Sequence, residues 1–524
     1  MYSIRRFRAS SGLLASARLR ASSLRRPSLR VPPLRVLFAA ALIRMLAACT
    51  LMPNYQRPPL PVPETYPSPA AASAAAPAPE PGTIVPVATA AADVGWREFF
   101  TDDKLRAIIA LALDHNRDLR VAVLDIEQSR AQYRIQRASL LPNIEATASG
   151  DSARTPQSVA SPGSPAVTRD YSVGIGVSAY ELDLFGRLRS LNAQARETLL
   201  ATEEARRNVQ ISLVAEVADD YLTLATDRQR LALAEETLHS QSESLELTRR
   251  EAEIGSASDL SLREAETTVQ SARADVARYS GQIASDVHAL DLIVGAHVPA
   301  ELLPSGLDDE LHALDRGGEL PAGLPSDLLE RRPDVLEAER TLRAANANIG
   351  AARAAFFPSI TLTASDGTTS NALSGLFAAG SGAWSFAPQV TLPIFTGGRN
   401  LANLTSARVA RDIDVAKYEN TIQTAFREVA DALALREFLE QQLNAQRALV
   451  AASSDAYRLS DARFRRGVDS YLNALDAQRS LYAAQQNLIG VELTRMSNLV
   501  ALYQALGGGW LEHTAAASVA KAAQ

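Results

Sequence analysis

One side chain in this sequence is placed for covalent chemistry. Cys49 is the only cysteine among 524 residues, so neither an intrachain disulfide nor a cysteine-based zinc site can form. It ends the run Leu46-Ala47-Ala48-Cys49, just after the apolar stretch Val36 to Leu46. Upstream stand Arg5, Arg6, Arg8, Arg18, Arg20, Arg25, Arg26, Arg30 and Arg35, and the first acid is Glu64. A basic region, an apolar stretch and small residues before a cleavage point read as a secretory signal over 1–48. Leu-Ala-Ala-Cys looks like a bacterial lipobox, which would make Cys49 the lipid-bearing first residue of the mature chain. The basic region is longer than a signal needs, and Arg44 interrupts the apolar stretch. Thr50 follows, not the Asp that retains lipoproteins at the inner membrane.

No other chemistry is legible. The six histidines (115, 239, 288, 297, 312, 513) are dispersed, with no H-E-x-x-H and no pair at metal-ligand spacing. There is no G-x-S-x-G and no phosphate-binding loop. Gly507-Gly508-Gly509 reads as a helix stop, and Gly174 with Gly176 as small residues in a strand. The expectation is a protein that is not an enzyme, with no metal and no cofactor beyond the lipid. A net charge of −6 and a pI near 5.7 give no basic stripe for nucleic acid. Aromatics make up only 6%, and alanine is abundant, which suits long, closely packed helices.

The elements that must position anything functional are written twice. Gly186, Gly255 and Gly295 recur as Gly398, Gly467 and Gly507, each 212 positions on, as from 186 to 398. Glu216-Val217-Ala218-Asp219 recurs at that offset as Glu428-Val429-Ala430-Asp431, and Leu260 as Leu472. Neither Gly nor Pro interrupts 187–254 or 399–466. Two such runs in register are two copies of one long helix, on the order of 100 Å each. Val217, Leu224, Leu231, Leu238 and Leu245 fall every seven residues, and Val429, Leu443, Val450 and Tyr457 hold the same register, with Arg436 the exception. That is a coiled-coil seam. Ser258-Asp259 and Asp469-Ser470 suit the caps of return helices.

Ahead of each long helix, an amphipathic helix ends at Leu141-Pro142 or Phe357-Pro358. Period-two alternation follows, giving four strands in two hairpins (142–182 and 358–396) with polar loops near 150–169 and 366–383. In the second strand Tyr171, Val173, Ile175, Val177 and Ala179 take one face, and Tyr180 the other. One face is small and uncharged, the other apolar, with aromatics at the ends, as in an outer-membrane barrel. Four strands cannot close a barrel, and an open edge is not tolerated in lipid. Several chains must then share one barrel. The fold expected is mainly α, internally duplicated, with a small membrane β-barrel portion. Its parts are a Pro/Ala-rich tether 49–95, a first repeat 96–295, a linker 296–332, a second repeat 333–510 and an Ala-rich, dispensable tail 511–524. The competing reading is a soluble coiled-coil structural or adaptor protein without a pore.

Several runs carry a family resemblance. They are Leu328-Leu329-Glu330-Arg331-Arg332-Pro333-Asp334, Ala344-Ala345-Asn346-Ala347-Asn348-Ile349-Gly350, Tyr180-Glu181-Leu182-Asp183-Leu184-Phe185-Gly186-Arg187, and Arg463-Phe464-Arg465-Arg466-Gly467-Val468-Asp469-Ser470-Tyr471-Leu472. Over about 49–510 the chain resembles the TolC-type outer-membrane efflux channels, in the lipoprotein branch paired with RND-type pumps. The resemblance implies a homotrimer with a 12-stranded barrel in outer-membrane lipid and a periplasmic tunnel of 12 helical strands. It implies a periplasmic adaptor (membrane fusion) protein and an inner-membrane RND-type transporter as partners. It places the tip turns and adaptor docking at Gly255 and Gly467, and an apolar gate at Leu472 with Leu260. Asp476 with Arg463 and Arg465 would form a latch. Glu264 stands where the first copy would repeat Asp476, and Phe464 where a Tyr is common.

Overall fold

The computed structural model describes residues 50–66, 91–307 and 326–514, apart from loop positions 157, 160, 162 and 164. The signal region and Cys49 lie outside the described residues, as do most of the tether, the middle of the linker and the last ten residues. The first repeat runs α1 (Asp103–His115), α2 (Arg117–Ala138), β1 (Ile144–Arg154), β2 (Val167–Leu182), α3 (Arg187–Glu253) and α4 (Asp259–Val294). The second runs α5 (Pro333–Ala354), β3 (Ser359–Ser370), β4 (Gly382–Thr391), α6 (Arg399–Arg465) and α7 (Tyr471–Ala505). Both long helices have 67 residues. No helix among the described residues is long and apolar enough to cross a membrane.

The helices pack around one core beside the start of the first repeat. Trp96, Phe100, Leu105, Ile108 and Ile109 are buried there with Val217, Tyr221, Leu224, Tyr418 and Val429. The heptad seam is fully buried at Val217, Leu224, Val429 and Leu443, and half-buried at Leu231, Leu238 and Leu245. Tyr221 donates to Asp102 Oδ2 at 2.7 Å within this core, giving the phenol a partner that burial would otherwise deny it. Buried Arg332 reaches Asp334, Glu428 and the Ala505 carbonyl, so the linker's end ties α5 to both helices of its hairpin.

Three details depart from the sequence reading. The first amphipathic run breaks at Asn116, which caps α2 by accepting from Leu119 N–H at 2.7 Å and donates to the Ile293 carbonyl at 2.6 Å. The hairpin strands also run further into the expected loops, to Arg154, Val167 and Ser370. Finally, the tail is not loose where it begins. Trp96 N–H donates to Leu511 O, Arg97 pairs with Glu512, and Glu98 accepts from Thr514 N–H.

The strands form one antiparallel sheet in the order β1-β2-β3-β4, leaving β1 and β4 as its edges. The register places Ile144, Val177, Ala364 and Phe386 side by side, then Ala146, Ile175, Asp366 and Trp384. In these two rows the face is apolar apart from Asp366; further along the same face come Thr368 and Ser370, and beyond them Arg169 and Arg154. The other carries Ser149 bonded to Ser172 and Ser365 bonded to Ser385. Between Val177 and Tyr180 the register shifts by one residue, with Ala179 at φ 52°. This bulge reverses the alternation, so Tyr180 and Leu182 lie opposite Leu362 and Ile360 on the apolar face. Tyr180 therefore changes face relative to the sequence expectation, because an inserted residue inverts a period of two.

Candidate channel gate and membrane sheet

The join between sheet and long helix explains the run Tyr180 to Arg187. Glu181 pairs with Arg187, and Asp183 accepts from the backbone N–H of Leu188 and Arg189, at 3.2 and 2.8 Å. A carboxylate on these free donors favours the positive end of α3. Phe185 stacks on Phe357 with ring centroids 4.9 Å apart, locking both repeats together beneath the sheet.

At the far end each hairpin turns on a left-handed glycine, Gly255 at φ 76° and Gly467 at φ 68°. The two turns are closed alike. Ser256 N–H donates to Glu251 O at 2.8 Å and Val468 N–H to Arg463 O at 3.0 Å, a pattern that needs a residue free of Cβ strain. In the first turn Ser258 caps α4 through Ser261 N–H at 3.1 Å. In the second, Ser470 makes no side-chain cap; Asp469 takes Ser470 N–H and Asn473 Nδ2 instead. These bonds and the Arg463 guanidinium hold the Asp469 carboxyl below its ordinary range, Asn473 contributing most. Both tips present apolar side chains to solvent: Ile254 is 80% exposed, Leu260 67%, Val468 65% and Leu472 46%.

The three proposed latch residues do not meet within one protomer. Arg463 pairs with Asp469 at 3.2 Å, Arg465 with Asp461 at 2.8 Å, and Asp476 with Arg479 at 3.8 Å. Within the protomer each arginine finds an acid in its own helix or turn. The bonds that do join the repeats here were missed by sequence reasoning. Tyr482 on α7 donates to Asp275 on α4 at 3.1 Å, and Tyr279 on α4 donates to Gln486 on α7 at 3.0 Å. Arg278 supports both, bonding Asp275 at 2.8 Å and stacking over the Tyr279 ring. Burial, then the Asp275 charge, raises the Tyr482 phenol well above its ordinary range, so it stays a donor. Both bridges span 207 positions, whereas the repeat offset is 212, so aligning the copies pairs neither bridge.

The segment after Cys49 has a defined seat. Residues 51–57 run antiparallel along one face of α5, at positions 339, 343, 346, 350 and 353. Arg57 bonds Glu339 at 2.5 Å, Asn346 donates to Pro53 O at 2.9 Å, and Arg353 donates to Leu51 O at 3.2 Å. Burial works to raise the Glu339 carboxyl, but hydrogen bonds from Arg57 and Arg343 outweigh it and hold the group below its ordinary range. The lengths agree: six extended residues and fourteen helical ones both cover about 20 Å. Thr50 is thereby delivered to the end of α5 next to the sheet.

Comparison with known proteins matches this geometry. A statistical model of the Outer membrane efflux protein family matches residues 108–296 and 324–508. The toluene efflux pump outer membrane protein TtgC of Pseudomonas putida is 50% identical over 475 residues, covering 90% of this chain and 95% of the relative. Outer membrane protein OprJ of Pseudomonas aeruginosa is 44% identical over 476 residues, covering 90% of this chain and 96% of OprJ. The open-state crystal structure of the Neisseria gonorrhoeae MtrE outer membrane channel superposes with a TM-score of 0.77 at 39% identity, covering 89% of this chain and all of that one. Of these relatives, TtgC bears the name of an efflux-pump outer membrane protein and MtrE that of an outer membrane channel. With both repeats matched and half of all aligned positions shared with TtgC, the chain belongs to the outer membrane efflux protein family, the TolC-type channels.

Proposed function

We propose that three copies of this chain form a passive exit duct. The duct carries small molecules, such as drugs, toxic compounds or metal ions, from periplasm to exterior. The observation that carries the reading is the four-stranded sheet with two unpaired edges and one exposed apolar face, continuous with helices about 100 Å long. Edge groups left bare in lipid are costly, and β1 of one copy pairing with β4 of the next satisfies them. Three copies give twelve strands. The duct does no chemistry; an inner-membrane RND-type transporter supplies the energy. A periplasmic adaptor docks on the exposed apolar tips around Gly255 and Gly467. Leu472 and Leu260 narrow the closed tip. A lipid on Cys49 is supported by the seat of Leu51 beside Arg353, six residues before β3 begins at residue 359. One lipid cluster plus assembly would anchor the protein.

The test is fractionation followed by planar-bilayer conductance. An SDS-resistant trimer in the outer membrane, acylated at its N-terminus by mass analysis and conducting when reconstituted, is the expected result. A soluble monomer would remove the duct. An unmodified cysteine on a conducting trimer would remove only the anchor.

A further inference from the structure

The charges of the sheet are sorted by face and by height. Arg154 and Arg169 are the only cationic residues on the four strands, and both are exposed. The register sets Ser152 opposite Arg169 and Arg154 opposite Val167, so the two arginines are diagonal neighbours on adjacent strands. Diagonal neighbours have Cα atoms about 7–8 Å apart, within reach of two long side chains closing on one group. They share the face of Tyr171, Val173, Ile175 and Val177. Asp151 and Asp170 oppose each other on the polar face. Residues 155–166 and 371–381, which connect the strand pairs, contain no charged residue. On the arginines' own face the acid is Asp366, opposite Ile175, three pleat repeats or about 20 Å below Arg169. Among the described residues neither arginine has a hydrogen-bond or ion-pair partner.

Height fixes what meets them. From Leu182 to Tyr171 the apolar row of β2 covers about 35 Å of strand, or about 27 Å of height at a tilt near 40°. An outer-membrane barrel carries an apolar band about 25 Å tall, so Arg169 is the first residue above it and Arg154 lies one repeat higher. We propose that Arg154 and Arg169 form a docking site for the phosphate of a phosphorylated lipid in the outer leaflet, one site per protomer. Guanidinium forks bind phosphate oxygens bidentately, and the lipid's acyl chains continue down onto Val173, Ile175 and Val177. The acids on the opposite face repel a phosphate from the lumen, so it approaches only from the membrane side. The inference rests on the barrel reading above.

Native mass spectrometry of the purified trimer, titrated with diphosphorylated lipid A and with its dephosphorylated form, tests it. The wild-type protein is expected to prefer the phosphorylated lipid about tenfold or more. R154Q/R169Q loses that preference, each single variant loses part of it, and R154K/R169K keeps most. Millimolar inorganic phosphate should compete weakly, because it lacks the chains. Free phosphate competing as well as the lipid overturns the lipid source. Equal preference in wild type and R154Q/R169Q, or in wild type and both single variants should the double variant not assemble, overturns the site. A wild-type trimer in the outer membrane without lipid preference overturns this inference alone, whereas absence of any trimer overturns the duct with it.

Discussion

Arg463 and Arg465 already hold acids within their own helix and turn, which changes what their removal should do. Arg463→Ala frees Asp469, loosens the start of α7, and is expected to raise the conductance of the isolated channel in bilayers. Among the described residues Asp476 pairs with Arg479 in its own helix, an exposed pair at 3.8 Å contributing ~0–0.5 kcal/mol. A conductance rise in Asp476→Ala therefore reports a partner across a subunit boundary. Unchanged conductance in both variants takes these residues out of the gate. Asp286 on α4 offers a separate test. Burial, then Asp227 and Asp220 on α3, push its carboxyl up to about 6, while Asp227 also binds Arg230 at 3.0 Å. A carboxyl that binds protons more tightly when folded loses stability as pH rises from its ordinary 3.8 to about 6, and the cost persists above that. Asp286→Asn should stabilise the protein by about 1 kcal/mol at pH 7.5, after allowing for solvent screening, and by little at pH 4.5. Thermal unfolding at the two pH values reads this directly. Equal shifts at both would mean that Asp286 titrates normally.

Among the elements, the arm 51–57 depends on one close approach. A Cβ on Gly350 would lie 2.8 Å from Met52 Cα and 2.5 Å from Ser190 Oγ. Gly350→Leu should therefore lift the arm off α5 and cost about 1–3 kcal/mol. Limited proteolysis with chymotrypsin checks it, with cleavage after Tyr55 expected in the variant and not in the parent; equal resistance would mean the arm is seated by its ion pairs alone. The long helices were legible because an absence of Gly and Pro over many residues has few other meanings. The glycines closing them were legible because nothing else takes that backbone as readily. The break at Asn116 was not legible, since the Ile293 carbonyl that rewards it lies 177 positions away. Nor was the bulge at Ala179, because alternation looks regular on both sides of one extra residue. The tyrosine bridges were hidden for a similar reason: they join positions that are not equivalent in the two copies.

For the molecule as a whole, strand and helix lengths set a size. Helices of about 100 Å below strands contributing about 30–40 Å of height give a particle about 130–140 Å long. Electron microscopy should show that length, and a particle near half of it would mean the long helices do not stand along a common axis. The duplicated plan was legible from offsets alone, while its closure was not. Thr514 Oγ1 accepts from Gly95 N–H at 3.1 Å and Leu511 O from Trp96 N–H at 2.9 Å, so the second copy's end is stitched to the first copy's beginning. The gene order of the halves is then arbitrary as far as the fold is concerned. A circularly permuted chain, starting at residue 326 and joining 514 to 95 through a short spacer, would place every helix and strand where it now stands.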